Sequence, residues 1–482
     1  MRRLLLFLLV VMSVGAVFAQ ELTSGTLEGT VVKAGGGPIA DAVVTATGPQ
    51  GSRAAVTSAA GRYAFQGLVP GTYSVKVMAA GYATVVQSGV EIYVGRRVQL
   101  PFELSPGRVE EVTVTSEAPL VDMKSTAAGE SIKVDNFAPY VPVGRNLVST
   151  FSIAPGVVDG GTVGAANQSI SGSSGLENVY FVDGVNITNS GYGALGAYSL
   201  VYGSLGTGVT YDFLEEVQVK TGGFEAEFGQ AGGGVVNSVV RTGSNVFTVD
   251  ASWYEEPTSL EGGRRDLILD PDTANYTETL RRDISLNASG PIFKDKLFFF
   301  AAYNPIWAED NFKLTSGDDE AEYYPFDPED PDGETLMFPL GATIQGGRMP
   351  GEVTRERKID NYAAKVSWFL TPNQRFEVTA FGDPSEGEVG PQSPTAYLRV
   401  LADGMTNPDP QTSATGLDWG GDQLAFKWQG VWTSNFFTEF QYARKENKFQ
   451  EMGPGVTYRS FFWLDTGATY GGAGYYENLK DE

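Results

Sequence analysis

The chain has 482 residues, a formal net charge of −24, no cysteine and no histidine. This length allows several domains. Disulfides and thiolate metal sites are excluded, and serine–histidine or cysteine–histidine catalysis is impossible. The acidic balance disfavours nucleic acid as a partner, because phosphate binding requires a surplus of lysine and arginine. Aromatic residues make up 12% of the chain and glycine accounts for 60 residues, a composition that favours β-structure.

The first residues have the features of a secretory signal. Arg2 and Arg3 supply positive charge, Leu4–Met12 is apolar, and Val17–Ala19 offers a small-residue cleavage site. A membrane-anchoring helix is the alternative, but the apolar run is short for a bilayer and no polar stop follows it. We therefore predict export, with residues 1–19 as the signal peptide. No later segment has the length and apolarity of a membrane helix, so the mature chain is expected to be soluble or a β-barrel.

Residues 22–105 alternate between apolar and polar side chains over short runs. Glycine- and proline-rich turns, such as Val69–Thr72, separate the runs. Short strands at regular spacing between such turns predict a small β-sandwich. Tyr63, Phe65 and Tyr73 are expected to pack in its core.

The segment Gly61–Tyr82, GRYAFQGLVPGTYSVKVMAAGY, resembles the carboxypeptidase-regulatory-like, or transthyretin-like, domain. The resemblance extends over the whole predicted sandwich. It implies that Gly61 lies in a hairpin turn, and that Pro70 and Gly71 form the turn that directs Tyr73 into the core. Domains of this kind are similar to carbohydrate-binding folds, but no residue here indicates a sugar site.

Residues 106–120 form a predicted linker with one extended segment. This segment has strong β propensity and consists of Glu111, Val112, Thr113, Val114 and Thr115. Left unpaired, it would be a strand available to the sheet edge of a partner. The same residues also suit the last strand of the sandwich or the first strand of the next domain, and both interpretations stay open.

Residues 121–243 contain two glycine-rich blocks, Tyr180–Thr188 and the start of Gly222–Asn245, with short alternating runs around them. We predict a compact, glycine-bent α/β plug domain. Asp183 and Gly184 follow apolar residues and indicate a type I′-like turn. The glycines of the second block are expected to give backbone freedom where loops pass close to a barrel wall.

From residue 244 to residue 482 the alternating runs become longer. Examples are Phe247–Tyr254, Asn361–Leu370 and Gln423–Thr433. Strands of about ten residues with apolar side chains outward and polar side chains inward are typical of a transmembrane barrel. A water-soluble sandwich also alternates, but the export signal, the acidic loops and the dense aromatics favour the barrel. The predicted fold class is mainly β, with a sandwich, a small α/β plug and the first strands of an antiparallel transmembrane β-barrel.

This domain order resembles that of the TonB-dependent outer-membrane receptors. The block Phe213–Asn245 carries the most specific similarity, and Ser289–Asn304 is similar to the Oar-like subgroup. The resemblance implies that Glu111–Thr115 is a TonB box. Plugged barrels have about 22 strands, and only about a third to a half of that number fits here, so we expect the N-terminal part of a longer barrel. The plug motif that the resemblance identifies consists of Arg145, Asp183, Gly184, Gly222, Gly223, Glu225, Glu227 and Arg241.

The charged members of this motif are candidates for contacts between plug and barrel. They are Arg145, Glu225, Glu227 and Arg241. The alternative is that they form ordinary surface ion pairs, which contribute little to stability.

Two further motifs were weighed for chemistry. GYGALG at Gly191–Gly196 matches a nucleotide-binding pattern, but no βαβ unit surrounds it. It is either a ligand-facing plug loop, with Tyr192, Tyr198 and Tyr202 as stacking surfaces, or an ordinary surface loop. The acidic stretch Asp318–Glu334 lacks the spacing of a calcium loop and favours a solvated extracellular loop. No metal site and no cofactor are predicted.

The family resemblance implies import of a scarce or bulky ligand across the outer membrane, with the sandwich in the periplasm. The implied partners are a TonB-type energy-coupling protein of the inner membrane, outer-membrane lipid, and an imported siderophore, oligosaccharide or peptide. The alternative is an outer-membrane adhesion or structural protein that uses the sandwich as a binding module. Deletion of Val109–Thr115 distinguishes them, because only a transporter would lose uptake. Without histidine or an indicated cleft, no enzyme is expected.

Overall fold

Strands make up most of the regular structure in this computed structural model. Within the described part of the chain, no helix has the length and apolarity needed to cross a membrane. The structure describes residues 22–107, 111–114, 128–137, 145–158, 167–189, 193–196, 198–199, 203–204, 206–224, 228–260, 275–314, 323–325, 342–345, 351–389, 399–402, 415–433, 436–452, 461–462, 469–470 and 479–481.

Eight strands build the N-terminal β-sandwich. They are β1 (Gly25–Lys33), β2 (Val43–Gly48), β3 (Gly51–Val56), β4 (Arg62–Leu68), β5 (Gly71–Met78), β6 (Thr84–Ile92), β7 (Arg97–Gln99) and β8 (Phe102–Leu104). One sheet has the order β4-β1-β7, with β8 also paired to β1, and the other contains β3-β2-β5-β6. Tyr63, Phe65 and Tyr73 are buried between the sheets, so the core prediction is confirmed for these residues.

Two glycine turns shape the sandwich. Gly61 precedes β4 with a φ of 72°, and Gly71 begins β5 with a φ of 142°. Both values lie in the region that favours glycine. Tyr73 then enters the core, where its hydroxyl donates a hydrogen bond to the carbonyl of Val69 at 3.0 Å. These positions agree with the turn roles that the domain resemblance implies.

A ninth strand, β9 (Glu111–Val114), extends the second sheet beyond β6. It runs parallel to β6, with Thr84 opposite Glu111 and Gln87 opposite Val114. The segment that the sequence left open is therefore joined to the sandwich as an edge strand. Thr115 lies outside the described residues.

The plug is built on a mixed sheet with the order β10-β17-β18-β13-β14, in which β13 runs parallel to β18. Its core contains the fully buried side chains of Phe151, Tyr180 and Val217. Two short α-helices and two 3-10 helices, at Gly175–Glu177 and Tyr211–Phe213, complete it. The elements are β10 (Ala128–Lys133), α1 (Val134–Phe137), α2 (Leu147–Phe151), β11 (Val157–Val158), β12 (Ser169–Ile170), β13 (Val179–Val182), β14 (Val185–Asn186), β15 (Tyr198–Ser199), β16 (Gly203–Ser204), β17 (Leu214–Gly222) and β18 (Val235–Val240).

Most of the remaining strands form an antiparallel sheet of long strands, which residues 241–247 connect to β18. The sheet order is β19-β20-β21-β24-β25-β28-β29-β32, and β26 pairs with both β24 and β28. The strands are β19 (Thr248–Pro257), β20 (Asn275–Phe293), β21 (Leu297–Leu314), β22 (Tyr323–Pro325), β23 (Ala342–Gln345), β24 (Gly351–Thr371), β25 (Gln374–Gly382), β26 (Ser385–Val389), β27 (Arg399–Ala402), β28 (Thr415–Thr433), β29 (Phe436–Met452), β30 (Phe461–Phe462), β31 (Thr469–Tyr470) and β32 (Leu479–Asp481), with a 3-10 helix at Thr258–Leu260 after β19.

The long strands have an apolar outer face and a polar inner face. The outward side chains of Trp368, Phe376 and Val378 are between 38% and 47% exposed. The inward side chains of Lys365 and Glu377 are each 4% exposed. This is the alternation that the sequence predicts for barrel strands. The mainly β fold, with a sandwich, a plug and barrel strands, is confirmed.

The plug lies against the inner face of the long sheet, and the sandwich covers one end of it. At that end, which we call the turn end, short turns such as 294–296 join the strands. The backbone N–H of Asn245 donates to the carbonyl of Pro49 at 3.0 Å, and its side-chain amide donates to Asp295 at 2.7 Å. Lys427 of β28 contacts Thr23 of the sandwich. We call the opposite end of the strands the loop end.

Candidate functional site

Asp183 anchors the plug to the barrel strands. Asp183 and Gly184 connect β13 to β14 with φ values of 50° and 78°, the positive values that a type I′ turn requires. The buried carboxylate of Asp183 forms an ion pair of 2.9 Å with Lys365 of β24. It also accepts hydrogen bonds from the Thr379 hydroxyl of β25 at 2.8 Å and from the Val240 N–H of the plug at 3.0 Å. The charge of this buried carboxylate is thus fully compensated.

Arg145 forms a second anchor, nearer the loop end. Its Nε donates to Asp283 of β20 at 2.8 Å, and its Nη2 pairs with Asp212 of the plug. The centre of the Tyr254 ring of β19 lies 3.8 Å from Cζ of Arg145. The Tyr211 hydroxyl accepts a hydrogen bond from Nη1 at 2.9 Å. Burial alone would lower the pKa of Arg145, but Asp212 and Asp283 outweigh it, so the pKa is raised. One guanidinium therefore joins the plug to two barrel strands.

Arg241, a further charged residue of the predicted plug motif, has its described ion pair within the plug. Arg241 pairs with Asp135 of α1, and both residues belong to the plug. The expected contact of Arg241 with the barrel is therefore replaced by a contact within the plug. Glu225 and Glu227 lie outside the described residues.

The predicted glycines differ in their surroundings. Gly222 ends β17, and the position that a Cβ would take there has no described atom within 4 Å. Gly223 follows with a φ of 63°. Close approaches to barrel strands occur instead at Gly184, where a Cβ would lie 2.6 Å from Oε1 of Gln441. They also occur at Gly243, where a Cβ would meet backbone carbonyls of β20 and β21.

The aromatic loop is described only in part. Tyr198 lies in β15, paired with Ser204 of β16. Tyr192 and Tyr202 lie outside the described residues. The same holds for residues 1–19 and for the acidic stretch 318–334, apart from β22 within it.

A third polar contact joins the plug to the sandwich. The buried carboxylate of Glu216, on β17, accepts hydrogen bonds from the Val94 N–H at 3.0 and 3.2 Å. Gln218, two residues further on the same strand, donates to the Val94 carbonyl at 3.0 Å. Burial raises the pKa of Glu216 to about 7. Beside them Lys133 of β10 pairs with Glu91 of β6.

Glu216 lies within β17. The polar residues Glu216, Gln218 and Lys220 alternate with valines along β17. That alternation was a signal for a polar second face, but it does not show which domain covers the face. The contact with Val94 could be recognised only in the folded chain.

A cleft of about 230 Å³ lies between the plug and the barrel strands. The plug contributes the start of α2 and the segment Gly206–Thr210, and the barrel contributes residues of β20, β21, β24, β26 and β28. The charged side chains of its lining are Arg145, Arg281, Arg357 and Asp383. Of these four residues, only Arg145 was predicted from the sequence, and the cleft itself was not predicted. The sequence signal for Arg281 and Arg357 is their inward position on β20 and β24, which can be recognised only when the pairing of the strands is known.

Asp383 connects the cleft to the plug. Its carboxylate accepts hydrogen bonds from the Gly208 N–H of the plug at 2.6 Å and from the Gly421 N–H of β28 at 3.1 Å. Within the described ranges, no group of three or more acidic side chains has the arrangement needed to hold a metal ion.

Comparisons with known proteins agree with this architecture. Residues 26–105 match the family model of the carboxypeptidase regulatory-like domain. The chain is 29% identical over 439 residues to the TonB-dependent transporter Oar of Myxococcus xanthus, an alignment that covers 84% of this chain and 38% of that protein. The chain thus spans well under half the length of this relative.

Among solved structures, the chain has similarity to the outer membrane transporter YddB from Escherichia coli, with a TM-score of 0.47 and 14% identity over 72% of this chain and 43% of that one. A mutant of the ferric enterobactin receptor from Pseudomonas aeruginosa has a TM-score of 0.41 and 17% identity over 72% of this chain and 45% of that one. These relatives are named as transporters and receptors, not as enzymes. Together with the sequence motifs, the domain match over residues 26–105 and the similarity to Oar support an Oar-like TonB-dependent receptor.

Proposed function

We propose that this chain is part of an outer-membrane transporter that imports a ligand with energy supplied by a TonB-type protein of the inner membrane. The observation that carries the proposal is the way in which the plug is held. It contacts the inner face of the barrel strands through ion pairs and hydrogen bonds at Asp183 and Arg145. Water can replace such polar contacts when the plug moves, whereas a continuous apolar interface would resist hydration.

The outer face of the same strands supports a position in a membrane. Trp368, Phe376 and Phe426 are exposed there. A band of exposed aromatic and aliphatic side chains is costly in water and favourable in lipid. In this proposal the turn end, with the sandwich, faces the periplasm, and the loop end faces the outside.

The strand β9 is the proposed coupling segment. Only four residue pairs hold it to β6, from Thr84–Glu111 to Gln87–Val114. An extended segment at a sheet edge can pair through its backbone with a strand from another protein. A partner that pairs with β9 and pulls would exert force on the sandwich, which is itself tied to the plug through Val94 and Glu216.

The absence of cysteine from the sequence makes this proposal directly testable by crosslinking. Thr113→Cys places the only thiol of this 482-residue sequence on β9. Single cysteines are placed one at a time along the TonB-type protein of the same organism, and disulfide formation is measured in intact cells. We expect crosslinks at alternate positions of the partner segment, because neighbouring residues of a strand face opposite sides.

Ser52→Cys is the matched control, because β3 lies at the opposite edge of the same sheet. Energy coupling through β9 predicts crosslinks for Thr113→Cys and none above background for Ser52→Cys. Equal, weak crosslinking of both variants would overturn the coupling proposal. If deletion of residues 109–115 also left uptake unchanged, the adhesion or structural alternative would be favoured.

A further inference from the structure

Two arginines face each other across one small residue in the loop-end half of the barrel strands. Ala308 of β21 lies opposite Arg281 of β20 on one side and opposite Arg357 of β24 on the other. Directly opposed residues on neighbouring strands project from the same face of the sheet. Because adjacent strands lie about 4.8 Å apart, the two arginines are about 10 Å apart at their Cα atoms. The methyl group of Ala308 leaves the space between their side chains open.

Both arginine side chains line the cleft of about 230 Å³, which the plug closes from the other side. The plug contributes Arg145 and the segment Gly206–Thr210. Trp419 of β28 forms a further wall. Its indole lies against Gly387 of β26, where an added Cβ would be 3.1 Å from the ring. The cleft is therefore bounded by rigid strands, one aromatic ring and the plug.

The carboxylates beside the cleft are already engaged by other donors. Asp283 binds Arg145 at 2.8 Å, and Asp383 accepts two backbone N–H groups. Arg281 makes no ion pair with any residue that the structure describes. The described lining contains three arginines and one aspartate, in a chain whose formal net charge is −24. A cluster of positive charge in so acidic a protein would concentrate anions locally.

We propose that this cleft binds a carboxylate or phosphate group of the imported ligand between Arg281 and Arg357. The inference rests on the proposed transport function, since that function makes the occupant a cargo. Guanidinium groups bind such anions through two parallel hydrogen bonds. The attraction is stronger in a partly dehydrated cleft than in bulk water. A ligand with an acidic group is therefore favoured over a neutral oligosaccharide.

The position of the cleft relates ligand binding to the plug. Arg281 and Arg357 lie in the loop-end halves of β20 and β24, whereas Lys365, which holds Asp183, lies nearer the turn end. A ligand that arrives from the loop end would reach the arginines before the Asp183 anchor. Its anionic group would also lie beside the Arg145 anchor, so that binding could shift Arg145 away from its carboxylate partners.

The test measures anion binding to the full-length protein in detergent by isothermal titration calorimetry. Citrate and inorganic pyrophosphate are the probes, and the neutral trisaccharide raffinose is the reference. The variants are Arg281→Gln, Arg357→Gln and the control Arg282→Gln. Arg282 is the neighbour of Arg281, projects from the opposite face and pairs with Glu255 at 2.9 Å. The Arg282→Gln control therefore removes one positive charge from the same strand, at a side chain that does not line the cleft.

We expect citrate, pyrophosphate or both to bind the native protein, and raffinose not to bind. Arg281→Gln and Arg357→Gln should each weaken anion binding by about tenfold or more, because each removes a charge-assisted hydrogen bond. Arg282→Gln should change the Kd for the anion by about twofold at most, because the ion pair that it removes is at the surface and contributes little. Binding of citrate alone would identify a carboxylate site, and binding of pyrophosphate alone a phosphate site.

Absence of anion binding to the native protein would overturn the proposal, and so would equal weakening by all three variants. Because a variant could fail to fold, arginine modification of the native protein by phenylglyoxal provides a second measurement. The anion should protect Arg281 and Arg357 but not Arg282, as read by mass spectrometry. If anion binding is confirmed but Thr113→Cys forms no crosslinks, the anion site is supported and the energy-coupling proposal is contradicted. The reverse result leaves coupling in place and removes the anion site.

Discussion

The plug meets the barrel strands and the sandwich through two different kinds of polar contact. Toward the barrel, Asp183 is buried and Arg145 is half-buried, and each is paired with an opposite charge. Toward the sandwich, the buried carboxylate of Glu216 accepts hydrogen bonds from a backbone N–H. Paired charges stay ionised over a wide pH range, whereas a carboxylate with mainly neutral donors is easily protonated. The contact between plug and sandwich should therefore depend on pH.

The largest effect is expected from Asp183→Ala. The substitution leaves Lys365 buried without its counter-charge, and it removes the acceptor for Val240 N–H and the Thr379 hydroxyl. Removing one partner of a buried pair costs about 3–5 kcal/mol. Hydrogen exchange of amides in β13 and β17 should show a plug that opens more readily by that amount.

The matched control for this prediction is Arg444→Ala. Arg444 pairs with Glu446, and its side chain is 69% exposed. An exposed pair contributes about 1 kcal/mol or less. If Arg444→Ala loosened the plug as much as Asp183→Ala, the effect would not come from the buried anchor.

The second largest effect is the pH dependence of the contact between plug and sandwich. Burial raises the pKa of Glu216 from about 4.5 to about 7. Docking therefore favours the protonated carboxyl. Docking is strongest below pH 4.5, where Glu216 is protonated in both states, and weakens as the pH rises to about 7. The free energy of docking between plug and sandwich changes over this pH range by roughly 3 kcal/mol at most.

Protease cleavage between sandwich and plug, measured from pH 4 to pH 8, would report this change. Glu216→Gln keeps an acceptor for the Val94 N–H and cannot ionise. Its cleavage rate should be independent of pH over the same range. A native protein whose cleavage has the pH profile of the variant would show that Glu216 does not control docking.

A smaller effect is expected from Arg145→Lys. Lysine keeps the positive charge but has no fork that can reach Asp212 and Asp283 together. It also loses the flat contact with the Tyr254 ring, now 3.8 Å from Cζ. Loss of one charged hydrogen bond costs about 2 kcal/mol. Amides of α2 should exchange faster by a corresponding factor, and Asp183→Ala should add to the effect because the two anchors share no partner.

The contrast between these interfaces also marks the limit of sequence analysis. Alternation predicted the strands, because Lys365 and Glu377 turn inward while Trp368 and Phe376 turn outward. The turn at Asp183 and Gly184 could be predicted because that dipeptide favours positive φ. These features depend on local backbone preferences.

Partnerships between distant strands could not be predicted in the same way. The approach of Arg281 to Arg357 depends on the register of β20, β21 and β24, which one residue of slip would reverse. Arg241 was expected at the barrel and pairs with Asp135 instead, because both lie on the plug sheet and its adjoining helix. A single chain sequence contains the charges but not the pairing that decides which of them meet.

The smallest effect is expected from Lys133→Met, and it tests how a neighbouring charge contributes to the contact between plug and sandwich. Lys133 pairs with the partly exposed Glu91 and lies 4.8 Å from the centre of the Tyr93 ring. Methionine keeps the apolar stem, so docking should weaken by only about 0.5–1 kcal/mol. Lys133 also lowers the pKa of Glu216 by its charge, against the larger effect of burial. The midpoint of the cleavage profile should therefore move to higher pH in the variant. A midpoint that stayed in place would mean that Lys133 acts on the sandwich alone and that burial by itself determines the protonation of Glu216.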